Sequence, residues 1–121
     1  MRIDIQGRNV EITDELREAV EKRFRRVGRQ ASELATLEVV LWEERNPAIT
    51  DREVAEANLH MKGRTLHAKE SAPEMLHAIH ELAEDIRRQV KKHRDKRRAR
   101  TKARRLAEKQ HRVTGASPPL I

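Results

Sequence analysis

Between Arg87 and Arg112 the chain carries 14 lysines and arginines against two acids, Asp95 and Glu108. Cations at this density bind anions. Arg offers a planar fork to phosphate oxygens and Lys a mobile point charge, and neither needs a base sequence to hold structured RNA. The whole chain has a net charge of +7, yet residues 1–86 hold 13 basic and 18 acidic residues and are net negative. The basicity is therefore local, and a local block of one sign is the electrostatic footprint of a polyanion-binding surface, nucleic acid being the commonest cellular polyanion. A solvated or disordered tail is the alternative reading of such a block. A second, smaller cluster consists of Lys22, Arg23, Arg25 and Arg26. The helix dipole favours cations near a helix C-terminus, which explains part of this cluster, but four in five positions exceeds what capping needs.

The elements that must position these cations can be read from periodicity. Met75, Ile79, Leu82, Ile86 and Val90 follow one another at steps of four, three, four and four, one apolar stripe on a helix. Ser71-Ala72-Pro73-Glu74 supplies a capping serine, an acid three residues on and an early proline, so the helix is expected to start there and to run to about Arg112. Its first half packs on something, and its second half has little to pack with. Thr13 is the expected cap of a first helix, with Asp14 and Glu15 in its first turn and Leu16, Ala19, Val20, Phe24 and Val27 on its buried face, ending near Gly28.

Alternation marks the strands. Arg2–Gln6 buries Ile3 and Ile5 and is expected to close at Gly7. Leu37–Trp42 turns Leu37, Val39 and Leu41 inward and leaves Val40 and Trp42 on the other face. Residues 53–61 turn Ala55, Ala57, Leu59 and Met61 inward, and Lys62-Gly63 reads as a two-residue hairpin turn of the primed type. The chain then returns with Leu66 and Ala68 inward, pairing Leu59 with Leu66 and Ala57 with Ala68. The order βαβββα predicts an α+β fold, a two-layer sandwich with both helices on one face of a four-stranded mixed sheet. A right-handed crossover makes the first two strands parallel and the remaining pairs antiparallel. The second helix is extended and basic.

Length and composition bound the rest. A chain of 121 residues suits one domain, but 39% charged residues with one Trp, one Phe and no Tyr leave a small aliphatic core. The absence of cysteine excludes disulfides and suits a cytoplasmic location. No apolar run is long enough for a membrane span. His60 and His67 share the outward face of the hairpin and His77 and His80 lie one turn apart, but no acid or cysteine completes a convincing metal set, so neither metal nor cofactor is expected. Trp42 could stack on a base, although a packing role fits it better. With no nucleophile, paired carboxylate or glycine-rich phosphate loop, the chain does not read as an enzyme.

Several segments together resemble the ribosome hibernation promoting factor and ribosome-associated inhibitor family, also called the sigma-54 modulation protein family. They are Asn9-Val10-Glu11-Ile12-Thr13, Leu16-Arg17 through Phe24, Val39-Val40-Leu41, Leu59-His60 through Gly63 with Leu66-His67-Ala68, Glu74-Met75, Ala78-Ile79 and Lys92-His93-Arg94-Asp95-Lys96. The resemblance covers residues 1 to about 98, the length of a short form or of an N-terminal domain. It implies a stress-response factor that binds the small ribosomal subunit and its 16S-type ribosomal RNA between head and body, occupying the messenger RNA channel and the aminoacyl and peptidyl tRNA positions. It also implies that the RNA is met by Lys22, Arg23, Arg25 and Arg26 on the first helix and by Arg88, Lys91, Lys92, Arg94, Lys96 and Arg97 on the second.

The chain departs from the family pattern at Leu76 and His80, where an aromatic and an acidic residue are common, and in a basic helix that continues past the usual end. The expected organisation is a ribosome-binding domain over 1–98, a basic helical extension over 99–112 and a flexible tail over 113–121. No C-terminal dimerisation domain is expected, and the free chain is expected to be a monomer. A double-stranded RNA-binding domain is the main alternative, but it would place its basic residues at the N-terminus of the last helix, where this chain has Ser71–Glu74. A coiled-coil partner is disfavoured by the missing apolar heptads after Val90.

Overall fold

The computed structural model describes residues 1–116, with side chains as far as Lys109. The elements follow in the order β1 (Arg2–Arg8), α1 (Asp14–Gln30), β2 (Thr36–Glu43), β3 (Glu53–Met61), β4 (Arg64–Ala72) and α2 (Met75–Ala116). The sheet order is β1-β2-β3-β4, with β1 parallel to β2 and the other two pairings antiparallel. Leu59 stands opposite Leu66 and Ala57 opposite Ala68. The expected α+β fold and register are therefore present.

The core lies on one side of the sheet. Leu37, Val39, Leu41, Ala55, Ala57, Leu59, Leu66 and Ala68 meet Val20, Phe24 and Val27 of α1 and Ala78, Ile79, Leu82, Ile86 and Val90 of α2 in one buried cluster. Ile3, Ile5, Leu16, Ala19, Met61 and Met75 pack around it half-buried. Thr13 caps α1, its hydroxyl oxygen accepting from the Leu16 N–H at 3.2 Å. The chain divides into two compact units, Met1–Val90 and Lys91–Ile121. The second unit holds the basic part of α2, and the helix reaches four residues into the segment 113–121 expected as a tail. The rest of that segment, 117–121, lies outside the described residues.

Four local expectations need correction. Ser71 does not cap α2: it belongs to β4, opposite Val54, and α2 begins at Met75 with the Glu74 carbonyl accepting from Ala78 at 3.1 Å. Ladder pairing with β3 takes the backbone groups a cap would have used, and Ala72, which follows, is buried in the core. Gly28 does not end α1, which runs to Gln30 with the Ala31 N–H donating to the Val27 carbonyl. A helical glycine costs only about 1 kcal/mol, which the complete burial of neighbouring Val27 offsets. β1 likewise runs through Gly7 to Arg8. The Lys62-Gly63 turn is not primed, since a primed turn needs positive φ at its first central residue and only Gly63, at φ 77°, has it. The Cβ of Lys62 disfavours the left-handed region that Gly63 enters freely.

Asn9 adds a clamp that periodicity does not reveal. It sits at φ 52°, its side-chain amide donates to the Glu43 carbonyl at 3.0 Å, and its side-chain oxygen accepts from the Glu43 N–H at 3.1 Å. The side chain thereby stands in for one more residue of the β1–β2 ladder. Phe24 is the only phenylalanine and is fully buried, so Phe24→Ala is expected to cost about 3–5 kcal/mol of unfolding free energy in urea titration.

Candidate nucleic-acid interface

α1 separates core from charge by helical spacing. Val20, Phe24 and Val27 are buried, while Lys22, Arg23, Arg25 and Arg26 are exposed. Lys22 and Arg26 are four residues apart on the side of the helix opposite Phe24, and Arg23 and Arg25 flank them. Because α1 continues past Gly28, Arg29 extends the Lys22–Arg26 ridge by three residues and is also exposed. Arg29 was legible as the next position of an i, i+4, i+7 series, but a stop at Gly28 hides it.

On α2 the candidate residues fall in two environments. Arg88 is exposed on the first compact unit and lies in the field of Glu70 and Glu84, so part of its charge is answered within the chain. Its neighbour Arg87 is fully engaged, its guanidinium donating to one Glu84 carboxylate oxygen at 2.9 and 3.3 Å. That contact holds the Glu84 carboxyl below its usual range. Lys91, Lys92, Lys96 and Arg97 belong to the second unit and are exposed. Arg94 is half-buried, its Nε has no hydrogen-bond partner, and the nearest carboxylate oxygen, on Asp95, is 3.9 Å away. Among the described residues, no ion pair engages Lys22, Arg23, Arg25, Arg26, Arg88, Lys91, Lys92, Lys96 or Arg97.

The remaining chemistry is committed elsewhere. Trp42 lies on the sheet face away from the helices, with the Arg8 guanidinium 5.8 Å and the Lys69 ammonium 5.3 Å from its ring centre. Its indole N–H donates to Glu44 at 3.1 Å, so its faces and edge serve the fold, and a stacked base would have to displace a cation. His60 pairs with Glu38 and Thr65, His67 with Glu56 and Asn58, and His77 with Glu81. Among the described residues no group of three His, Cys, Asp or Glu side chains is spaced to hold a metal ion. No helix among them is long and apolar enough to cross a membrane.

This geometry can be set beside known proteins. Residues 3–98 match the family described as Sigma 54 modulation protein / S30EA ribosomal protein. The chain belongs to that family. It is 35% identical over 96 residues to the ribosome hibernation promoting factor of Salmonella typhimurium, covering 79% of this chain and 96% of that protein. Its identity to the ribosome hibernation promoting factor of Azotobacter vinelandii is 30% over 108 residues, covering 89% of this chain and 96% of the relative. The crystal structure of the Thermus thermophilus Protein Y N-terminal domain superposes with a TM-score of 0.67 at 29% identity, covering 76% of this chain and 98% of that one. The family match covers residues 3–98, and the alignment with the Azotobacter vinelandii relative spans 108 residues.

One acidic site has a measurable consequence. Burial raises the Glu70 carboxyl above its usual range, a hydrogen bond and repulsion from Asp85 and repulsion from Glu81 add to this, and Arg88 opposes it. The folded chain thus holds that proton more tightly than the unfolded chain, and ionising it costs stability as pH rises from the ordinary glutamate range through the raised value. Glu70→Gln is expected to raise the melting temperature at about pH 7, with the gain vanishing below about pH 4. Thermal unfolding of both proteins across that range measures it.

Proposed function

We propose that this chain is a ribosome hibernation factor that binds the small ribosomal subunit at the messenger RNA channel and the aminoacyl and peptidyl tRNA positions. The observation that carries the reading is the set of exposed cations on α1 and α2 that no ion pair engages among the described residues, in a chain related to ribosome hibernation promoting factors. Lys22, Arg23, Arg25 and Arg26 meet RNA from α1, and Arg88, Lys91, Lys92, Arg94, Lys96 and Arg97 meet it from α2.

Inhibition then works by occupancy. A folded body lodged where messenger and tRNA must pass blocks translation without any catalytic group, and the cations hold it there through phosphates. Phosphate contacts position a protein without reading sequence, so the fit of the body to its cleft supplies the selectivity. The net negative charge of residues 1–86 disfavours docking in other orientations and steers the basic elements toward RNA.

Co-sedimentation with isolated small subunits, large subunits and duplex RNA tests this reading. Selective binding to the small subunit, competed by tRNA and messenger RNA, is the expected result, and equal binding to all three would reduce the chain to a general basic RNA-binding module. Replacing Lys91, Lys92, Arg94 and Lys96 together with Ala is expected to weaken small-subunit binding and to lower the magnitude of its logarithmic salt dependence by about 3 to 4. The melting temperature of that variant should stay near that of the parent; a large fall would make these side chains structural.

A further inference from the structure

Beyond the family match, α2 continues with a distinct arrangement of charge. Arg98, Lys102, Arg105 and Lys109 follow one another at steps of four, three and four, which puts them in one row along the helix. A shallow groove along this row is lined by these four cations together with Arg94, Arg97, Thr101 and Leu106. The Thr101 hydroxyl donates back to the Arg97 carbonyl at 3.0 Å, which leaves the cationic ends as the groove's outward-facing chemistry. Away from this row the same segment carries Ala99, Ala103 and Ala107, again four residues apart, with Arg100 and Arg104 beside them. The densest line of charge in the extension is therefore the row Arg98, Lys102, Arg105 and Lys109.

We infer that residues 98–109 form an additional RNA-binding element that lies along the phosphate backbone of an RNA helix, with Arg98, Lys102, Arg105 and Lys109 each facing a phosphate. The inference extends the proposed function to residues outside the family match but does not depend on the small subunit being the target. Three observations point to a nucleic-acid backbone. The cations form a line of about 16 Å at the helical rise, with roughly 5–6 Å between successive members, and a line of charge fits a linear polyanion. Among the described residues the row offers a protein partner almost no anchor, since its one large apolar residue there, Leu106, is half-exposed. Like charges at these spacings repel along a bare helix, and the alanines away from the row supply the propensity that keeps it helical until phosphates neutralise the row.

The test uses the full chain, a short mixed-sequence RNA duplex and a potassium chloride series, with binding followed by fluorescence anisotropy. The combined variant Arg98→Gln, Lys102→Gln, Arg105→Gln and Lys109→Gln is expected to bind more weakly, with its logarithmic salt slope reduced in magnitude by about 3 to 4. The control Ala99→Gln, Ala103→Gln and Ala107→Gln should keep the parent's slope. An unchanged slope in the cation variant, an equal loss in the alanine control, or competition by polyglutamate as effective per charge as by RNA would each overturn the inference. The parent protein is also sedimented with small and large subunits. Failure to prefer the small subunit would count against the proposed function while leaving this element standing, and an unchanged slope on the duplex would do the reverse.

Discussion

The cations between Arg87 and Arg112 outnumber the acids by 14 to 2, and no arrangement of this helix can neutralise them from within. Burial is closed to them, because a charge taken out of water needs a partner. Most of them stay at the surface, and apart from Arg87, held by Glu84, and Arg94, beside Asp95, no ion pair among the described residues engages them. The first half of α2 does the anchoring: Ile79, Leu82 and Ile86 are completely buried against the sheet and Val90 nearly so. Several carboxylates of the first unit are engaged by other groups of that unit. Glu84 is held by Arg87, Glu38 and Glu56 by histidines across the sheet face, and Glu44 by the indole of Trp42. Charge segregation, more than any single contact, gives the chain its chemistry.

Much of this was legible in the sequence because it rests on patterns of period two and 3.6. The inward rows of β2, β3 and β4, the hairpin register at Leu59 and Leu66, and the apolar stripe of α2 follow directly from spacing and stand in the structure as read. The cations of α1 and α2 were equally plain, since a block of like charge needs no folding calculation to be recognised. What spacing could not settle was competition for single backbone groups. Ser71 has a capping residue's chemistry, but β3 offers its backbone a ladder partner, and the ladder wins.

The other misreadings have causes of their own. Gly28 resembles a helix stop, yet tertiary burial of Val27 carries α1 to Gln30 and brings Arg29 onto the cationic ridge. Lys62-Gly63 has the length of a primed turn, but the backbone takes the form in which only Gly63 needs positive φ. The Asn9 clamp to Glu43 spans 34 residues, so no local window contains it. Ser71, Gly28 and Asn9 turn on partners distant in sequence, which a propensity argument does not see, whereas the Lys62-Gly63 turn is decided locally by the Cβ of Lys62. The functional consequence is small for α1, because its candidate cations are placed by the buried face of Val20, Phe24 and Val27 and not by its end.

The central claim is that these cations seat the folded body in the small subunit where messenger and tRNA pass. Electron cryomicroscopy of the full chain bound to isolated small subunits addresses it most directly. The account predicts density for the βαβββα body in the channel between head and body, with Lys22, Arg26, Lys91 and Lys92 against ribosomal RNA phosphates. Density elsewhere on the subunit, or a body in the channel with those four side chains turned away from RNA, would contradict it.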